Sequence, residues 1–375
     1  MFILIFDGQM KVSKKVSILL LVAISIIGAI ACKKKLSKEP EIAFYSWKMR
    51  SDENKYQNIT PFGQFEPHSF YVKIMDIDWD DNYGYSPTAS RELIDLSYDY
   101  LDSFFKSVDL IPCIFITNKT LEKTPDTLIK DLCNKIYHKT NLLTSKDLRF
   151  IESNLNLNNS IDNFKEIQID CDWTASTRDK YFKLLNELEK LFTNKTITAT
   201  LRLHQYNDQK LMGIPPVKEV YLMCYNTGNV KNWKEENSIF NYQKAKKYFK
   251  PDNEYPLKIN FALPLFDWIV IFKNNEFYKI DNQFNNELLK DSQYVISLNT
   301  HEYRVVRDTV INNCFLRTGD KLKQEVVSDD DLIKAAELCK LAINREKFKV
   351  VFFDQQHLRN YKYETIKKAF DMFRN

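Results

Sequence analysis

Two carboxylates two residues apart, Asp170 and Asp172, end the apolar run EIQIDCD that starts at Glu166. In an extended strand residues i and i+2 share a face, so both acids point one way while Ile169 and Cys171 point the other. Like charges held that closely raise the pKa of at least one of them. A carboxylic acid kept protonated near neutral pH can then serve as a general acid. The same spacing recurs at Asp76, Asp78 and Asp80, with Ile77 and Trp79 opposite. Taken singly, each acid is equally suited to capping a helix or accepting from loop amides.

The elements that must position these groups are legible as a period. Short apolar segments at 42–47, 70–77, 111–117, 166–172, 196–203, 220–225, 257–265 and 349–353 read as strands. Longer amphipathic segments lie between them, with helices expected at 89–106, 125–138, 147–154, 177–192 and 330–342. The helix at 177–192 has a clean face of Tyr181, Leu184, Leu185, Leu188 and Leu191. Eight parallel-strand candidates separated by helices predict an α/β fold, a closed (β/α)8 TIM barrel. Between 268 and 328 the pieces IVIF, FYKI, QYVIS and YRVV predict a β-rich insertion between strands seven and eight. A small separate β-domain is the alternative for that region.

Barrels of this kind assemble their sites at the C-terminal ends of the strands. That rule selects Trp47 after strand one, Asp78 with its neighbours on strand two, and Asp170 and Asp172 on strand four. It adds Arg202 and His204 from strand five, Tyr225 and Asn226 from strand six, Asp267 and Trp268 from strand seven, and Asp354 and His357 from strand eight. Arg202 suits pairing with the strand-four acids, either as part of a site or as the counter-charge that makes them tolerable to the fold.

Three of these strand ends carry a resemblance. Asp170-Cys171-Asp172-Trp173-Thr174 is similar to the D-x-D-x-E row of the chitinase-like (family 18) glycosidase barrels, with Thr174 in the Glu position. Met223-Cys224-Tyr225-Asn226 resembles their Met-x-Tyr-Asp, and Ala262-Leu263-Pro264-Leu265-Phe266 their seventh strand. The sequence from 42 onward resembles an uncharacterised bacterial lipoprotein family related to these enzymes. The resemblance implies a sugar cleft. It also implies that the general acid and one supporting carboxylate of the acetamido-assisted reaction are missing, because Thr174 offers only a hydroxyl and Asn226 no charge. Losing a positioned general acid costs about 10² to 10⁴ in rate.

Two function classes therefore stand open. In a glycosidase of replaced mechanism, Asp172 is the acid and Asp267, or else Asp78, is its partner across a cleft of the inverting kind, which needs about 6.5 to 9.5 Å between carboxyls. Asp170 completes the acidic set, Arg202, His204, Tyr225 and Asn226 hold sugar hydroxyls, and Trp47, Trp173 or Trp268 offer stacking faces. In the other class the barrel binds a glycan or a protein and cleaves nothing.

With 54 basic and 50 acidic residues the charges nearly balance, and no basic face alternates with exposed aromatics as a nucleic-acid groove requires. The histidines and cysteines are scattered without metal-ligand spacing, so neither metal nor cofactor is expected. The N-terminus predicts a membrane partner. Lys11, Lys14 and Lys15 precede an apolar run at 16–30 that is short for a spanning helix, and Ala29-Ile30-Ala31-Cys32 closes it. This resembles a bacterial lipoprotein signal (1–32) with Cys32 as the lipidated residue, followed by a tether (33–40) and the folded body (41–375). An uncleaved N-terminal anchor is the alternative. The resemblance implies a cell-envelope location, at the outer membrane facing the periplasm, because the tether lacks an acidic export run.

Overall fold

The computed structural model describes residues 38–48, 64–90, 108–144, 164–250, 253–282, 284, 286–311 and 314–374. The expected leader, Cys32 and most of the tether lie outside these residues, as do the expected helix at 147–154 and the 89–106 helix beyond Ser90. Lys38–Asn375 forms one compact unit.

The strands are β1 (Glu39–Ser46), β2 (Ser69–Asp80), β3 (Gly84–Ser90), β4 (Asp109–Ile116), β5 (Glu166–Asp170), β6 (Thr196–Arg202), β7 (Glu219–Met223) and β8 (Lys258–Pro264), then β9 to β15 of the insertion and β16 (Lys347–Phe353). Eight of them pair in parallel in the order β1-β2-β4-β5-β6-β7-β8-β16, and β16 pairs with β1 to close the barrel. A parallel sheet covered on both faces has no solvated side, which is why these segments read as apolar runs and not as alternation. The helices α1 (Asn118–Lys123), α2 (Ile129–Leu143) and α3 (Arg178–Leu191) follow β4 and β5. On α3 the expected face is buried at Tyr181, Leu184, Leu185 and Leu188, with Leu191 at its margin.

The inside of the barrel is unusually polar, and β5 shows why. Glu166, Gln168 and Asp170, every second residue, meet side chains from other barrel strands. Glu166 pairs with Lys349 at 2.7 Å and accepts from Tyr221 at 2.8 Å and Thr198 at 2.9 Å. Gln168 accepts from the Tyr45 hydroxyl at 2.7 Å. Buried polar groups are tolerated when they are partnered in this way. Asp170 and then Asp172 continue the ladder to the C-terminal mouth.

One expectation is corrected on strand two. β2 continues to Asp80 and turns into β3, an antiparallel hairpin partner that occupies Ala89 and Ser90, where the helix was expected to begin. The insertion lies between β8 and β16. Its strands are β9 (Asp267–Lys273), β10 (Glu276–Asp281), β11 (Val295–Ser297), β12 (Glu302–Val305), β13 (Thr309–Ile311), β14 (Cys314–Leu316) and β15 (Lys321–Val326). Five of these form an antiparallel sheet in the order β10-β9-β15-β12-β11, and β13 and β14 pair antiparallel with each other. Among the described residues no helix is long and apolar enough to cross a membrane.

Candidate functional site

The C-terminal ends of the barrel strands open into a cavity of about 560 Å³. Trp47, Asp170, Asp172, Arg202, Tyr225, Asn226, Asp267 and Trp268, all expected from the sequence, line it. They arrive from five strand ends, which a closed barrel converts into one ring.

Asp172 and Arg202 meet as a fork. Nε and Nη2 of Arg202 each donate to a different oxygen of Asp172, the bidentate geometry in which a guanidinium binds a carboxylate most strongly. Asp170 lies one rung deeper, 8% exposed, and accepts from the Thr200 hydroxyl at 2.6 Å. Burial, and after it the charge of Asp172, push its carboxyl up to about 7 against the opposing pull of Thr200, Arg202 and Lys73. The pair is therefore split in role: Asp172 is the bound partner of Arg202, and Asp170 is the group that holds a proton near neutrality.

The walls are aromatic. Tyr225 stacks on Phe353 at 5.5 Å between centroids and meets Phe266 edge-on at 5.6 Å. Trp268 packs on Phe266 at 5.2 Å, and Trp47 lies against Phe353 at 5.4 Å. Burial raises the Tyr225 hydroxyl well above the usual phenol range, so it remains a neutral donor. Asp267 is within 3.6 Å of the His357 Nδ1 and accepts from the Asn360 amide at 3.3 Å.

Three expected residues are placed elsewhere. Trp173 is fully buried, stacked on Tyr181 of α3 at 4.9 Å with its indole N–H donating to the Met212 carbonyl at 3.2 Å. It is core, because β5 ends at Asp170 and the odd-numbered positions after it face the helices. His204 is exposed and outside the cavity lining. β6 stops at Arg202, whose backbone N–H donates to Gln205, and His204 enters the turn of helix α4 (Leu203–Asn207), which breaks the alternation that placed it beside Arg202. Asp78 accepts from the Thr117 hydroxyl at 2.6 Å and the Trp79 amide at 2.8 Å, and the Thr117 bond in particular holds its pKa down. It fastens the β2–β3 hairpin to the end of β4. Its neighbours separate likewise: Asp76 pairs with Lys73 at 3.0 Å, and Asp80 accepts from the turn amides of Asn82 and Tyr83. Thr174 turns away too, its hydroxyl bonded to Ser176 at 2.8 Å at the start of α3.

Lys73 also belongs to the site, and the strand-end rule did not select it. It is a lysine inside the apolar first part of β2, FYVKIM at 70–75, 9% exposed, with its ammonium 5.1 Å from the Trp47 ring centroid. That misplaced charge was the available signal. Asp354, selected from the sequence at the end of strand eight, is buried at the end of β16 and lines the cavity, accepting from the Gln356 side chain at 2.7 Å and the Trp47 amide at 3.3 Å, and burial raises its pKa. Among the described residues no group of three His, Cys, Asp or Glu side chains is placed to hold a metal ion.

Neither a protein-family model nor a curated protein matches the sequence. Solved structures do resemble it. A chitinase from Chromobacterium violaceum superposes with a TM-score of 0.50 at 8% identity, covering 88% of this chain and 99% of that one. A chitinase from Bacteroides thetaiotaomicron gives 0.49 at 11% identity over 89% and 94% of the two chains. The spore cortex-lytic enzyme SleL of Bacillus cereus gives 0.44 at 13% identity over 88% and 75%. The first of these likenesses shows the fold, a chitinase-like TIM barrel, and at this identity it shows the fold alone.

Proposed function

We propose that the protein is a glycan-binding barrel of the bacterial cell envelope, which holds a polysaccharide segment at its mouth and does not hydrolyse it by the acetamido-assisted route. The observation that supports this reading most is the fork between Arg202 and Asp172. A carboxylate with both oxygens taken by one guanidinium has no proton to give a leaving group, and position 174 supplies a hydroxyl already bonded to Ser176. What remains suits recognition: aromatic faces at Trp47 and Trp268, and polar groups at Tyr225, Asn226 and Asp267.

A second reading keeps hydrolysis. It is favoured by Asp170, whose carboxyl is pushed up to about 7 in the same cavity as Asp267. In that scheme Asp170 replaces Asp172 as the acid. A panel of soluble oligosaccharides titrated into the protein tests the first reading. Binding by at least one of them is expected, and Trp47→Ala and Trp268→Ala should each weaken it at least about tenfold, the equivalent of about 1.4 kcal/mol. Binding unaffected by both substitutions would move the ligand out of this cavity.

The envelope location rests on the signal-like N-terminus. Palmitate label supplied to expressing cells should enter the parent chain and not Cys32→Ala. Equal labelling of the two would sink the lipid anchor.

A further inference from the structure

The wall of the cavity formed by Trp268 is held by a residue that does not itself line the cavity. We infer that Glu325, on β15 of the inserted sheet, is a positioning residue that fixes the Trp268 indole for the ligand, an inference whose binding arm rests on the glycan reading above. Glu325 lies directly opposite Trp268 in the β9–β15 register, and directly opposed residues share a face. The Trp268 indole N–H donates to Glu325 Oε2 at 2.8 Å. The same oxygen accepts the Ser238 amide at 3.0 Å and the Ser238 hydroxyl.

Glu325 is 1% exposed, and a carboxylate that deep in a protein needs a reason. Its other oxygen pairs with Lys323 at 2.7 Å, and Lys323, also buried, donates to the Glu235 carbonyl at 2.8 Å. The loop that carries Glu235 and Ser238 folds back on itself to reach this point. A Cβ at Gly228 would come within 2.7 Å of the Ser238 Cα, so the approach requires a glycine there. The charged pair thus joins three pieces: the inserted sheet, the loop after β7, and the indole at the cavity wall. Phe266 packs against the ring and Glu325 holds its N–H, so two contacts favour the orientation that Trp268 takes. Without the acceptor the indole N–H and the Ser238 amide lose their partner, and rotation of the ring becomes the way to find another.

Indole N–H resonances of the 15N-labelled protein report this directly, with the Trp268 signal assigned by its loss in Trp268→Phe. In the parent the Trp268 proton should be shifted downfield and protected from exchange. In Glu325→Leu both features should be lost, while Glu325→Gln should keep protection with a smaller shift. For binding, the probe is the β-1,4-linked N-acetylglucosamine pentamer. Glu325→Leu should weaken it roughly five- to tenfold and Glu325→Gln less than threefold, and Trp268→Phe and Trp268→Phe/Glu325→Leu should bind equally, because Glu325 reaches the ligand only through Trp268. An unchanged indole signal in Glu325→Leu, or in Glu325→Gln if the leucine variant does not fold, overturns the inference. So does a further loss of affinity when Glu325→Leu is added to Trp268→Phe. If the pentamer does not bind the parent, the glycan reading loses support and the indole signals alone decide the role of Glu325.

Discussion

Replacing Arg202 with methionine is expected to destabilise the barrel by about 2 to 3 kcal/mol at pH 8 and by clearly less at pH 5. Removing one partner of a buried pair costs about 3 to 5 kcal/mol because the other charge is left uncompensated, and Asp172 keeps 41% of its side chain in contact with solvent, which reduces that cost. Asp170, on the same strand face, adds to that charge where it ionises. At pH 5 protonation relieves part of the repulsion, so the variant should recover toward the parent. Thermal unfolding at the two pH values measures this directly. An equal loss at both would show that Arg202 contributes packing and not charge.

The second large effect has the opposite sign. Asp170 ionises near 7 in the fold against an ordinary 3.8. A carboxyl whose folded pKa is raised contributes its full stability below the unfolded pKa and loses it as pH rises through the folded one. The parent should therefore lose stability between about pH 4 and pH 7, by about 2 to 4 kcal/mol from this group. Asp170→Asn does not titrate and can still accept from Thr200. It should match the parent near pH 4.5 and exceed its stability by that amount at pH 8. Urea midpoints at the two pH values decide the matter, and a difference independent of pH would remove Asp170 as the proton-holding group.

The barrel was legible in the sequence because its strands are covered on both faces. Continuous apolar runs such as IPCIFI at β4 need no partner to be recognised. The pieces of the insertion were legible as strands, but their pairing was not. β9 and β15 are separated by some 50 residues, and no local pattern tells a strand which distant neighbour it will meet. β3 was hidden for another reason. Its sequence GYSPTAS carries Ser, Pro and Gly, which suit an edge position yet read as loop.

At the site, alternation placed Asp170 and Asp172 on one face and brought Arg202 to them, and the strand-end rule collected Trp47, Tyr225, Asn226, Asp267 and Trp268 into one cavity. The same alternation misled where a strand stopped early. His204 lies two residues beyond Arg202 in number but in a helical turn, and Trp173 follows β5 into the core against Tyr181. Asp78 was misplaced because the hairpin carries the end of β2 past the barrel rim. Strand termini depend on hydrogen bonds made by neighbours, as when Gln205 takes the Arg202 amide, and these are tertiary facts.

In the role we propose, this cavity retains a glycan and leaves it whole, because Arg202 occupies Asp172 and Thr174 offers no acid. A count of reducing ends released per molecule of protein, over a long incubation with an oligosaccharide shown to bind the cavity, puts that role to the test. The expected result is retention with fewer than one cleavage per protein molecule and an unchanged ligand length. Many cleavages per molecule, abolished by Asp170→Asn, would contradict it and make the barrel a glycosidase with Asp170 as its acid.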